Sequence, residues 1–151
     1  MNLGQYFTND LSLKKYVYDL ILNNPEIILE PSVGQGNLVE YILSLKNEIK
    51  FDLYEIDDSI EKLEKIKNLH INYCDFLKEE IDAKYDTIVG NPPYVKIKRG
   101  NLYLEFINKC FHLLKYKGEL IFIVPSDFIK LTSSAGLINS MLEIGTFTHI
   151  I

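Results

Sequence analysis

The chain has only two cysteines, Cys74 and Cys110, too few for a disulfide scaffold and in keeping with a reducing compartment, the cytoplasm. It has no apolar run of about 18 residues, so no membrane-spanning helix is predicted. Met1 to Asp10 lack the basic start and apolar core of a secretory leader, and none is expected. No internal repeat, low-complexity tract or linker interrupts the sequence. No close pair among His70, Cys74, Cys110 and His112 has zinc-site spacing, so no metal is expected. Positive charge is also scarce. The net charge is −5, a poor match to a chain that binds nucleic acid unaided, which usually shows a basic face. What remains is 151 residues, 47% apolar and 25% charged, the makeup of one globular domain with its own core.

Apolar strand-like runs alternate with helical periods throughout, the pattern of an α/β fold with a mainly parallel sheet. Asn9 or Ser12 can cap a helix to about Leu22, with Leu13, Val17, Leu20 and Ile21 inward. Strands are predicted at Ile27–Leu29, Phe51–Tyr54, His70–Tyr73 at an edge, Tyr85–Gly90, and Leu120–Val124 at the centre. Helices are predicted after Asn37 (Leu38, Ile42 and Leu45 inward) and over Asp58–Leu69. Two more are predicted over Leu102–Leu114 (Phe106, Ile107, Cys110, Phe111 and Leu114 inward, stopped by Gly118) and over Ser134–Leu142. Thr146–Ile151 has a strand pattern, and the chain is expected to be incomplete beyond it.

Two loops carry chemistry. Glu30-Pro31-Ser32-Val33-Gly34-Gln35-Gly36-Asn37 lies between a strand and a helix, where glycines admit close backbone approach and the helix start offers free N–H groups. It lacks the full dinucleotide pattern and the Lys-Ser/Thr of a phosphate loop, so a ligand without phosphates fits better. Glu55 ends the second strand 19 positions after Gly36, close to the offset of roughly 20 at which an acidic residue takes ribose hydroxyls. Asp75 can accept from an adenine amino group with Phe76 against the ring, or it can cap the next turn with Phe76 in the core.

The second loop, Asn91-Pro92-Pro93-Tyr94, follows a strand and has little backbone freedom, because each proline fixes its φ and restricts the residue before it. It is expected to turn three groups outward: the Asn91 amide, the Pro92 carbonyl and the Tyr94 ring. They suit a planar base with an exocyclic amine, two accepting N–H groups and one stacking. Asn-Pro-Pro is also an ordinary turn sequence. Lys96, Lys98 and Arg99 follow as a basic cluster, either a solvated loop or a phosphate contact.

With Gly4-Gln5-Tyr6-Phe7-Thr8 ahead of Glu30-Pro31-Ser32-Val33-Gly34-Gln35-Gly36 and Asn91-Pro92-Pro93-Tyr94, the chain resembles the amino-methylating DNA methyltransferases of restriction-modification systems over essentially its whole length. The resemblance implies a Rossmann-like, doubly wound class I methyltransferase domain spanning residues 1–151 and S-adenosylmethionine as cofactor. Tyr6, Phe7 and Thr8 would line the methionine end, Glu30 would hold its amino group, and Pro31, Ser32, Gly34 and Gly36 would form the close-passing loop. Glu55 would bind the ribose, and Ile56, Asp75 and Phe76 the adenine, with Asn91 at the junction. Asn91 and Pro92 would accept from the target amine, held by the stiff Pro93 turn, and Tyr94 would stack on the flipped base. Asn rather than Ser at 91 favours the N6 amine of adenine. Asn9 stands where the family usually has proline. A second stacking aromatic and a target-recognition domain follow in the family but are not in this sequence, so a C-terminal domain or a separate specificity subunit is the expected partner beside DNA. The tetrapeptide also occurs in protein-glutamine and RNA methyltransferases. Those, and an inactive cofactor-binding fragment that supports another subunit, are the competing expectations.

Overall fold

The computed structural model describes residues 8–60 and 69–151. In chain order the elements are α1 (Leu11–Asp19), β1 (Ile27–Glu30), α2 (Asn37–Leu45), β2 (Lys50–Glu55), β3 (Ile71–Tyr73), β4 (Tyr85–Gly90), β5 (Lys96–Ile97), β6 (Gly100–Asn101), α3 (Leu102–His112), β7 (Leu114–Phe122) and α4 (Thr132–Leu142). Five strands form one sheet in the order β3-β2-β1-β4-β7, and every pair in it is parallel. β5 and β6 form a separate antiparallel pair. The chain starts in the middle of the sheet, winds out through β2 and β3, then crosses back to β4. The sites of open α/β sheets lie at such a reversal, outside the carboxyl ends of the strands.

Side-chain alternation puts successive core residues on opposite faces. Ile28 and Val89 pack with Val17 of α1 and Leu38 and Ile42 of α2. Leu29 and Ile88 pack with Phe106 and Cys110 of α3. Ile28 and Leu29 of β1 and Thr87–Val89 of β4 are buried on both faces, which is why these strands read as mainly apolar rather than alternating; Ile27, at the start of β1, is exposed.

Several expectations are corrected. The N-cap of α1 is Asp10, whose carboxylate accepts from the Ser12 N–H at 2.7 Å and the Leu13 N–H at 3.2 Å; an ionised acceptor there also suits the helix dipole. Leu13 and Leu45, expected inward, are 40% and 53% exposed: Leu13 lies in the first turn of α1 and Leu45 is the last residue of α2, so neither reaches the sheet. Gly118 does not stop α3. The helix ends at the Leu113 cap and the chain enters β7 at once. An irregularity follows, in which Tyr85 pairs Leu114 but Thr87 pairs Glu119; Lys117 adopts φ 62° there, and a Cβ on Gly118 would lie 2.9 Å from the Lys115 carbonyl. The Leu120–Val124 run is not central: among the described residues β7 is an edge strand, and its apolar side chains are half-buried. Residues 146–151 pair with nothing among the described residues and form no strand, since a strand pattern without a neighbour leaves its backbone groups to water. Most of the expected Asp58–Leu69 helix lies outside the described residues, as do Tyr6 and Phe7.

A carboxylate binds the two halves together. Glu119 of β7 accepts from the Leu22 N–H at 3.0 Å, the Asn23 N–H at 3.0 Å and the Thr87 hydroxyl at 2.7 Å, so the end of α1 is fixed to the β4–β7 pair.

Candidate active site

β1, β2 and β4 deliver Glu30, Glu55 and Gly90 to one end of the sheet. The loop after β1 turns sharply at two left-handed residues, Gly34 (φ 54°) and Gly36 (φ 74°), the latter capping α2. Glu55 is 5% exposed and both its oxygens are engaged: Oε2 accepts from the Gly34 N–H at 2.7 Å and Oε1 from the Asp57 N–H at 3.0 Å. The acidic residue therefore holds the glycine loop in shape. Ile56 beside it leaves its side chain 55% exposed.

Glu30 is 3% exposed and takes the Ser32 N–H at 3.2 Å. Burial pushes its carboxyl up to about 8, the Ser32 N–H opposes the shift, and the charge of nearby Glu55 adds to it. Pro31 is buried, and the Ser32 hydroxyl oxygen is buried without a hydrogen-bond partner among the described residues. Sequence reasoning missed Gly90. A Cβ there would lie 2.9 Å from Glu30 Oε1 and 3.1 Å from the Phe122 ring, so the carboxyl sits where only glycine leaves room. A glycine closing an apolar strand is itself a sign of such close approach.

The Asn91 loop continues directly from that glycine. The Asn91 amide donates from Nδ2 to the Thr8 hydroxyl at 3.2 Å, and its Oδ1 accepts from the Tyr94 hydroxyl at 2.8 Å. Tyr94 also donates to the Ile123 carbonyl at 3.0 Å. Pro92 is fully buried and Pro93 half-buried. The expectation of three outward groups is corrected here. The Tyr94 ring is half-buried and turned inward, its centroid 5.8 Å from that of Tyr103 and nearly perpendicular to it, because the phenol finds two acceptors and the ring an aromatic edge. Ile123, just past β7, was another residue the sequence reading did not single out.

Phe76 takes the structural option, and Asp75 makes the cap through one of its two oxygens. Asp75 caps a 3-10 turn, accepting from the Leu77 N–H at 3.1 Å, and Phe76 is 2% exposed, stacked on Phe106 and edge-on to Tyr54. Lys96, Lys98 and Arg99 are exposed on the β5–β6 hairpin, the segment that follows Tyr94.

Residues 32–151 match the family described as Eco57I restriction-modification methylase. The chain belongs to that family. It is 30% identical to the type II methyltransferase M.HincII of Haemophilus influenzae, an alignment that takes in 100% of this chain and 33% of that protein. It is 28% identical to M.AccI of Acinetobacter calcoaceticus over 87% of this chain and 29% of the relative. The chain thus spans about a third of the length of the curated relatives it matches. A crystal structure described as a putative class I S-adenosylmethionine-dependent methyltransferase from Listeria monocytogenes superposes with a TM-score of 0.71 at 18% identity, covering 92% of this chain and 54% of that one. The fold is the Rossmann-like class I methyltransferase fold. Membership in a methylase family implies S-adenosylmethionine as methyl donor, and the residues present fit it: two left-handed glycines open the loop at the start of α2, the buried Ser32 hydroxyl oxygen has no partner among the described residues, and the buried Glu30 carboxyl complements a cationic amino group.

Proposed function

We propose that the protein transfers a methyl group from S-adenosylmethionine to the N6 amine of an adenine in DNA, as a restriction-modification enzyme of the cytoplasm. The observation that carries this reading is the seat of Asn91, at the start of the loop that leaves the strand beside Glu30, one residue past Gly90, where a Cβ would meet the Glu30 carboxyl. When bound, S-adenosylmethionine supplies an electrophilic methyl group on sulfur. Glu30 would hold its amino group, the Gly34–Gly36 loop and Ser32 its methionine part, Glu55 its ribose, and Ile56 and Asp75 the edge of its adenine. Phe76 would support that wall from the core, and Tyr6, Phe7 and Thr8 would close the methionine end.

An aryl amine is a weak nucleophile because its lone pair is shared with the ring. Asn91 Oδ1 and the Pro92 carbonyl, accepting its two N–H groups, would draw the nitrogen toward a tetrahedral shape and aim the lone pair at the methyl. That is catalysis by positioning and fixed dipoles. The new N–C bond would replace the donor's S–C bond, and the surplus amine proton would leave to solvent. The base must leave the duplex to reach this point, where the Tyr94 ring would stack on it and Lys96, Lys98 and Arg99 would meet the backbone phosphates. Choice of DNA sequence is assigned to a target-recognition domain or a separate specificity subunit.

The test is methyl transfer from radiolabelled S-adenosylmethionine, offered duplex DNA, RNA and a release-factor protein, with the methylated product identified by mass spectrometry. N6-methyladenine in DNA is expected, and sequencing then maps its position. Label in RNA, in a glutamine side chain or at cytosine would overturn the reading.

A further inference from the structure

Tyr94 occupies an acceptor that the proposed chemistry needs, the Asn91 oxygen. Its hydroxyl donates in a three-centre arrangement to Asn91 Oδ1 at 2.8 Å and to the Ile123 carbonyl at 3.0 Å. The Thr8 contact on Nδ2 fixes the other end of the Asn91 amide, so the oxygen is the end offered to Tyr94. The Ile123 carbonyl is a firm anchor, because the Ile123 N–H bonds the Gly90 carbonyl at 2.9 Å and joins the ends of β7 and β4. The ring packs with Tyr103, Leu104, Ile107 and Phe128. Held edge-on to Tyr103, it cannot keep both hydrogen bonds and also lie flat on a base.

We propose that the Tyr94 hydroxyl is a stand-in for the target amine, holding the Asn91 oxygen until a base displaces it, so that freeing the acceptor and presenting the stacking ring are one movement. The proposal rests on the adenine reading above. A phenol O–H and an aryl N–H are both donors on an atom attached to an aromatic ring, and either reaches an amide oxygen at about the same distance. Exchange of one for the other leaves the half-buried Asn91 oxygen paired before and after, whereas an acceptor left unpaired would carry its full desolvation cost. A base that bears the amine restores the bond that Tyr94 gave up. A base without it does not.

The consequence separates this role from the alternatives. Tyr94→Phe keeps the ring and removes the bond that a base must break. Duplexes carrying adenine or unsubstituted purine at the mapped position should both bind the variant about fivefold more tightly, one net hydrogen bond's worth. The ratio between them should be unchanged, since the hydroxyl touches neither base once displaced. Binding is read by fluorescence anisotropy with the whole protein. Weaker binding of both duplexes, or unchanged binding, overturns the proposal while leaving the adenine reading intact. A changed ratio also overturns it, because the hydroxyl would then contact the amine in the complex. Equal binding of the two duplexes by the unaltered protein overturns the proposal and the adenine reading together. If Tyr94→Phe does not melt cooperatively, Tyr94→3-fluorotyrosine, a more acidic donor in the same place, tests the contact with opposite sign. It should weaken both duplexes, and tightening or no change would overturn the proposal.

Discussion

The two sides of the site are held by different means. At the β1–β2 end, buried carboxylates are bound by backbone: Glu55 by the Gly34 and Asp57 N–H groups, Glu30 by that of Ser32. At the β4 end, side chains bind one another, Thr8 to Asn91 and Asn91 to Tyr94, and the Tyr94 hydroxyl also reaches backbone, at the Ile123 carbonyl. A buried carboxylate that turned away would leave its backbone N–H partners unpaired at once, whereas a hydroxyl-to-amide contact can be traded for a single incoming donor. The first arrangement suits a pocket that takes the same ligand every cycle. The second suits a site that must open for a base arriving from a duplex.

The comparison can be broken most sharply at Asn91. In the whole enzyme, Asn91→Ala should lower methyl transfer by about 10²–10³-fold, as expected of a preorganised charge-stabilising group, while cofactor affinity by calorimetry changes little. A parallel fall in both would merge the two sides into one unit. Glu55→Ala should do the reverse, weakening cofactor binding by roughly 1–3 kcal/mol because two loop N–H groups lose their acceptor, with transfer at saturating cofactor close to that of the unaltered protein. Calorimetry showing full affinity would remove Glu55 from the cofactor side.

Glu30 tests the cofactor side through its pH dependence. Its carboxyl is raised to about 8 in the fold against 4.5 ordinarily, so across that window the folded protein keeps a proton that the unfolded chain releases. Stability of the protein without cofactor should fall as pH rises through the window and level off above it, which thermal melts will show. A cationic amino group beside Glu30 favours the ionised form, so S-adenosylmethionine should bind more tightly toward pH 8 and release a proton on binding below it. Calorimetry in buffers of different ionisation enthalpy measures that proton, and its absence would place the amino group elsewhere. The smallest effect belongs to the hairpin: Arg99→Ala should lower the steepness of the salt dependence of DNA binding by about 0.9 and leave cofactor binding untouched.

Backbone features of the site were legible in the sequence because they follow from residue type. Gly34, Gly36 and the proline pair declare their conformations, and the paired spacing of Gly36 and Glu55 is a property of strand, turn and helix lengths. Side-chain partners were not legible. That Tyr94 turns inward depends on Tyr103 and Ile123, which lie beyond the hairpin in sequence. That Glu30 presses on Gly90 depends on β4 lying beside β1, a non-local pairing. Asp75 and Phe76 were left open between cap and pocket for the same reason, and packing against Phe106 and Tyr54 decided where the ring lies. The edge position of β7 was also hidden, because Leu120–Val124 is as apolar as a strand covered on both sides.

The sheet order also sets a timetable. β1 is synthesised before the other strands, and its β2 side can pair early, but its other side waits for Thr87 and Ile88 of β4. Until then Ile28 and Leu29, wholly buried in the finished fold, border an open row of backbone donors and acceptors. Long-range parallel pairings close slowly, and an unpaired apolar edge recruits other chains. The yield of folded protein in a cell therefore depends on how fast the stretch between β1 and β4 is translated, and pauses placed there should lower it without changing any residue of the site.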